Sequence, residues 1–164
     1  MDWRTTDLSD AHPEAETLPM VFRSFGGRPR FQGRVRTLKV FEDNALVRKV
    51  LEQEGQGQVL VVDGEGSLKT ALLGGNLARL AWERGWAGVV VHGAVRDTAE
   101  LKEVPIGLLA LAATPRKSAK EGKGEVDVPL SLFGARVLPG SYLLADEDGL
   151  LLLPAPPSGG QSAG

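Results

Sequence analysis

The chain has no cysteine and only two histidines, His12 and His92, in 164 residues. Disulfides, thiolate metal sites, iron–sulfur clusters and cysteine nucleophiles are excluded, and one subunit cannot build a His-rich zinc site. Any metal must be held by carboxylates, carbonyls and water. Aromatics are scarce, at five Phe, three Trp and one Tyr, so no base-stacking platform suggests itself. An excess of one charge is lacking too. Nineteen Lys and Arg against 21 Asp and Glu leave −2 at pH 7, and no global positive field draws the chain onto nucleic acid or an anionic membrane. Apolar runs fall far short of the roughly 20 residues that a membrane helix needs, and the start, MDWRTTDLSD, has no basic segment followed by an apolar one. The expectation is a soluble cytoplasmic protein that touches neither membrane nor nucleic acid directly.

At 17.4 kDa and 42% hydrophobic residues, the chain suits one sizeable core and is short for two domains. A single α/β domain over residues 1–153 is expected, with 154–164 (PAPPSGGQSAG) as a flexible tail. Thr and Asp residues between Thr5 and Ala11 are candidate caps for a short helix limited by Pro13. Residues 22–30 read as a loop, and the near-alternation from Phe31 to Phe41 reads as a half-buried strand. Val47, Val50 and Leu51 fall at helical spacing. Gln58–Val62 and Ala87–His92 are short apolar runs of the kind buried on both faces, and a helix at Leu77–Arg84 lies between them. That order predicts a parallel crossover unit, extended by a short helix near Ala99–Glu103 and a third run, Ile106–Ala113. After a flexible, basic stretch from Arg116 to Gly124 the period changes to two. Strands are expected at Val126–Leu132, Ala135–Leu138, Tyr142–Leu144 and Leu150–Leu153, joined by Pro139-Gly140 and Asp148-Gly149 turns. The architecture implied is a parallel βαβ core with an antiparallel β layer beside it.

Ligands of open parallel sheets gather beyond the carboxyl ends of the strands, where loops vary and helix amino termini carry partial positive charge. Two segments belong at that edge. Gly74-Gly75-Asn76-Leu77 lets backbone N–H groups approach a ligand where a helix starts, and Gly93-Ala94-Val95-Arg96-Asp97 follows the Val89-Val90-Val91 strand. Amides and the Arg96 guanidinium suit a small anionic 2-oxo acid, and Asp97 suits a hard divalent cation held mostly through water. The plain alternative is a helix-entry turn and a surface Arg–Asp pair. Asp63-Gly64-Glu65-Gly66 lacks the remainder of a nucleotide-binding loop and reads as a turn, as does Asp146-Glu147-Asp148-Gly149. The Arg116, Lys117, Lys120 and Lys123 cluster reads as a solvated loop, and His92 as a hydrogen-bonded structural residue near the site.

Leu72–Ala78, Gly85–Asp97 and Val61-Val62-Asp63-Gly64, in this order and spacing, resemble the family named for the regulator of ribonuclease E activity A, which includes the 4-hydroxy-4-methyl-2-oxoglutarate aldolases. The resemblance runs from Thr5 to about Pro154. It implies a three-layer β/β/α swivelling-type domain assembled as a homotrimer with clefts between subunits. It also implies a class II pyruvate aldolase with oxaloacetate decarboxylase activity. Gly74, Gly75, Asn76 and Leu77 would bind pyruvate, Arg96 would contact it, and Asp97 would hold a magnesium or manganese ion. Members acting as ribonuclease regulators can lack the carboxylate at Asp97, and its presence here favours the enzyme. The alternative is a non-catalytic trimer that inhibits an endoribonuclease. Aldolases of this family tend to place an acidic residue where this chain has Gly75-Asn76. The general base is therefore unassigned, with metal-bound water or a neighbouring subunit's residue as candidates.

Overall fold

The computed structural model describes residues 2–157. Along the chain run α1 (Thr5–Ala11), β1 (Glu16–Pro19), β2 (Arg23–Ser24), β3 (Phe31–Lys39), α2 (Ala45–Leu51), β4 (Val59–Asp63), β5 (Ala71–Leu73), α3 (Gly75–Glu83) and β6 (Gly88–Val95). There follow α4 (Thr98–Leu101), β7 (Gly107–Ala113), β8 (Glu125–Val126), β9 (Leu130–Leu132), β10 (Ala135–Val137), β11 (Tyr142–Asp146) and β12 (Gly149–Leu153). Strands β3, β4, β6 and β7 lie side by side and parallel, with Val35 opposite Val59, Val59 opposite Gly88, and Gly88 opposite Gly107. Helices α2, α3 and α4 supply the crossovers, as the apolar runs predict. Every residue of β4 is buried because both faces of the sheet are covered. Leu60, Val62, Val89, Val91 and Leu108 pack towards the helices, whereas Val59, Val61, Val90 and Leu109 meet Leu143, Ala145, Leu150 and Leu152 of the antiparallel layer. Truncating Leu60, which is 0% exposed, to Ala would cost roughly 2–5 kcal/mol through lost burial and a residual cavity.

The antiparallel layer has the order β1-β12-β11-β3, and the three-layer β/β/α arrangement follows from how β3 is used. Its first half, Phe31 to Arg34, pairs with β11, and its second half, from Val35, pairs with β4. One strand is thus common to both layers. The Phe31 ring lies where side chains at Gly88 and Gly107 would stand, so those glycines let an aromatic from one layer seat on the backbone of the other.

The helix boundaries have identifiable causes, local for α3 and distant for α1. Helix α3 buries Leu77, Ala78 and Ala81 and ends in a Schellman motif, with Gly85 (φ 85°) donating to the Trp82 carbonyl and Trp86 to that of Ala81, each at 3.0 Å. Helix α1 is capped from a distance: the Asp146 carboxylate accepts the Thr5 N–H at 2.8 Å and the Thr5 hydroxyl at 2.7 Å. The cap is therefore not one of the local Thr or Asp candidates.

Other expectations are also corrected. The single strand expected over Val126–Leu132 is broken, because Asp127 adopts φ 60°, and its two parts pair with different partners. The Pro139-Gly140 turn joins strands that do not pair with each other, since β10 pairs with β9, and β11 with β3 and β12. Strands β1, β2 and β5 are additional. Of the expected tail, Pro157 is buried, and residues 158–164 lie outside the described ones.

Candidate functional site

The site depends on a feature of register. Strand β6 does not stop at His92; it continues, past an irregularity between Val91 and Ala94, to Val95. This extension gives β5 a parallel partner, with Ala71 opposite Ala94 and Leu73 opposite Val95. The Arg96 N–H then donates to the Leu73 carbonyl at 3.0 Å, and the segments beginning at Gly74 and Arg96 leave the sheet together. Asp97 sits in the left-handed region (φ 61°, ψ 44°), which Asp tolerates better than most residues. There its Oδ2 accepts the Gly75 N–H at 2.9 Å. A side chain on Gly74 would place its Cβ 2.6 Å from that same oxygen, so only glycine permits the approach.

Gly74, Asn76, Leu77, Arg96 and Asp97 line one cleft of about 220 Å³. Gly75 is buried behind it, with its amide engaged by Asp97. The first-turn amides of Asn76 and Leu77 have no acceptor within their own helix, which leaves them available to an anion. Asn76 is fixed by Arg79, whose guanidinium donates to Asn76 Oδ1 at 2.8 Å and to Glu100 Oε2 at 2.6 Å. Arg96, half-buried, donates to the Pro115 carbonyl at 3.3 Å.

The rest of the lining includes residues that the sequence reading did not place in the site: Asn44, Arg48, Lys117, Ser118 and Lys120. The basic segment is not a loop free in solvent. Ala71 N–H donates to Arg116 O at 2.7 Å, Ser118 Oγ to Ala71 O at 2.8 Å, and Ala119 exchanges backbone bonds with Glu42 and Asn44, each at 3.0 Å. Lys120 Nζ donates to Asn44 Oδ1 at 3.1 Å. The cleft accordingly presents four cations, Arg48, Arg96, Lys117 and Lys120, against one carboxylate, Asp97. Such a lining favours an anion with more than one negative group.

A family model described as RraA-like, Aldolase/RraA, matches residues 5–152. The chain belongs to the RraA-like family. A curated relative from Thermus thermophilus, named 4-hydroxy-4-methyl-2-oxoglutarate aldolase, is 82% identical over the full length of both chains. Two solved structures are similar. One, described as the RNA-processing inhibitor RraA from Thermus, has 83% identity, a TM-score of 0.96 and 97% coverage of each chain. The other, described as an S-adenosylmethionine:2-dimethylmenaquinone methyltransferase from Geobacillus kaustophilus, has 47% identity, a TM-score of 0.91, and coverage of 93% of this chain and 96% of that one.

Other motifs of this RraA-like chain resolve into structural roles. Asp63 Oδ1 accepts the Glu65 N–H at 2.8 Å in a tight turn and lies 3.0 Å from His92 Nδ1. Burial pushes the Asp63 carboxyl up, but His92 and the Glu65 amide outweigh it and hold the group below its ordinary value. The His92 ring also stands edge-on to Phe133, and His92 is not among the cleft residues. Asp146 is likewise consumed internally, by Thr5 and by the Asp148 N–H at 3.0 Å. Among the described residues no helix is long and apolar enough to cross a membrane.

Proposed function

We propose that this RraA-like protein is a divalent-metal-dependent class II pyruvate aldolase. It cleaves 4-hydroxy-4-methyl-2-oxoglutarate and related 4-hydroxy-2-oxo acids to pyruvate, with oxaloacetate decarboxylation as a companion activity. The observation that carries this reading is the make-up of the cleft: Arg48, Arg96, Lys117 and Lys120 line it together with the start of α3, matching a small acid with two carboxylates. The name of the 82% identical relative supports the same chemistry.

The residues divide the work. Arg96 and the Asn76 and Leu77 amides bind the 2-oxo acid end, and Arg48, Lys117 and Lys120 face the far carboxylate, so the C3–C4 bond lies between them. In cleavage the C4 hydroxyl gives up its proton, the C3–C4 electron pair moves into the pyruvate fragment, and C3 takes up a proton. The negative charge that develops on the 2-oxo oxygen falls beside the Arg96 guanidinium, which a fixed positive group stabilises more than the ground state. The proton of the C4 hydroxyl passes to water or to a residue of a neighbouring subunit. Loss of carbon dioxide from oxaloacetate places the same charge on the same oxygen.

Asp97 is the residue that would hold the cation, magnesium or manganese. Among the described residues no three His, Asp or Glu converge, so the donor set fits a hard ion that keeps much of its water and takes one carboxylate plus substrate oxygens. When bound, that ion would supply Lewis-acid polarisation of the 2-oxo group. The proposed assembly is a homotrimer, for which the exposed Val21, Phe41, Leu68 and Phe133 offer apolar surface. Its mass by sedimentation should be three times the 17.4 kDa of the chain.

Oxaloacetate and magnesium incubated with the purified protein should yield pyruvate faster than in its absence, and chelator should abolish the gain. Absence of chelator-sensitive pyruvate would remove the enzyme reading. A second reading, a non-catalytic inhibitor of an endoribonuclease, is favoured by the name of the 83% identical structure. It requires the protein to bind such a nuclease in a pull-down and to slow RNA cleavage.

A further inference from the structure

Asp43 is 3% exposed, lies at the entry to α2 and is not among the cleft residues, yet it stands next to one of them, Asn44, and binds the turn that follows another, Lys120. Its carboxylate is taken up by backbone donors. Oδ1 accepts the Ala45 N–H at 3.1 Å, and Oδ2 accepts those of Glu121 at 3.0 Å, Gly122 at 3.1 Å and Lys123 at 3.4 Å. Three of these donors are consecutive and directly follow Lys120. Burial pushes this carboxyl up, but the amides of Ala45, Gly122, Lys123 and Glu121 outweigh it and keep the group ionised.

The cleft's basic wall has two kinds of anchor. Up to Lys120 it is held by β5 and by the start of α2, through Arg116, Ser118, Ala119 and Asn44. Beyond Lys120 the chain must reverse, and Gly122 takes φ 90° as it does so. Over this reversal the backbone donors of residues 121–123 converge on Asp43. The lysines at 117 and 120 are long and exposed, and their direction depends on the backbone that carries them.

We propose that Asp43 is a positioning residue: by clamping the 121–123 turn it holds Lys120, at the end of the basic wall, towards the cleft and sets the preference for two-carboxylate over one-carboxylate 2-oxo acids. The inference rests on the reading of the cleft as a 2-oxo acid site. A one-carboxylate acid is held by Arg96 and the α3 amides and does not use the wall. A second carboxylate does.

The test uses Asp43→Asn, which keeps size but turns an amide NH2 towards N–H donors, and Glu121→Pro, which removes one donor and leaves Asp43 intact. In both variants the KM for oxaloacetate should rise tenfold or more while kcat stays within threefold. Competitive inhibition by 2-oxoglutarate should weaken by a similar factor, and inhibition by pyruvate should change less than twofold. In Asp43→Asn, where the bond after Lys120 stays open to trypsin, cleavage there should be at least tenfold faster than in wild type. A purely structural role for Asp43 would weaken pyruvate and 2-oxoglutarate together, and either that result or an unchanged ratio overturns the proposal. If wild-type protein makes no pyruvate, the aldolase reading fails by itself. Titration of 2-oxoglutarate and pyruvate by ligand-observed NMR then decides the Asp43 role by the same ratio, and failure of both acids to bind overturns it as well.

Discussion

Asp97 Oδ2 accepts the Gly75 N–H at 2.9 Å, and this bond ties the residue proposed to hold a cation to the first turn of α3, which is proposed to hold the substrate. Two segments more than twenty residues apart become one rigid edge. The carboxylate's charge and its backbone conformation can be separated by substitution. Asp97→Asn preserves a residue that tolerates φ 61° but removes the charge. Pyruvate formation from oxaloacetate should fall by about 100-fold or more, equivalent to about 2.7 kcal/mol of transition-state stabilisation, with the melting temperature nearly unchanged. Activity within threefold of wild type would dismiss Asp97 as the anchor.

Gly74→Ala tests the same edge from the other side. The added Cβ would meet Asp97 Oδ2 at 2.6 Å, although Gly74's φ of −132° is open to any residue. The cost is crowding, roughly 1–3 kcal/mol of stability, and the displaced carboxylate should lower activity at least tenfold. Thermal unfolding and the coupled pyruvate assay, run side by side, check both parts.

His92 is expected to behave in the opposite way. Its ring is occupied by Asp63 and Phe133 and does not line the cleft. His92→Ala leaves a nearly buried Asp63 without one partner, which costs roughly 1–3 kcal/mol, while kcat and KM stay within threefold. A large kinetic effect with normal stability would show that His92 takes part in the chemistry.

Asp146 makes an acid-sensitive contribution to stability. Burial raises its pKa, but the Thr5 amide and hydroxyl, together with the Asp148 amide, bring it below the ordinary 3.8. A carboxylate whose folded pKa is depressed stabilises the fold above its unfolded pKa, and that contribution is lost as pH falls through the lower folded value. Asp146→Asn should therefore be less stable than wild type by about 1–2 kcal/mol at neutral pH, the magnitude of a helix cap. The gap should begin to narrow near pH 4, the ordinary carboxylate value, and close as pH falls further through the depressed folded value. Melting temperatures of both proteins across the acid range decide this; a gap that is constant with pH would assign the effect to packing.

The parallel core was legible because residues 59–62, 88–91 and 107–110 bury both faces and so read as unbroken apolar runs. The helices between them were legible from spacing at Val47, Val50 and Leu51 and at Leu77 and Ala81. What escaped depends on distant partners. Strand β5 is three residues long and exists because β6 runs on to Val95, and β1 is set by Leu150 to Leu152, far along the chain. The cap of α1 comes from a residue 141 positions away. Likewise, Gly74, Asn76, Leu77, Arg96 and Asp97 could be named from motif, whereas Lys117 and Lys120 looked like a solvated charge cluster. Nothing local records that Ser118 and Ala119 are tied to Ala71 and Asn44.

Because β3 divides its hydrogen bonds between Tyr142–Ala145 on one side and Val59–Asp63 on the other, neither layer has a seam along which it could peel away. Heat or denaturant should dismantle both in a single transition. The region free to diversify among relatives without loosening the fold is then the rim above Leu73 and Val95, where a few exchanged side chains could redirect a common scaffold towards different acids or different partners.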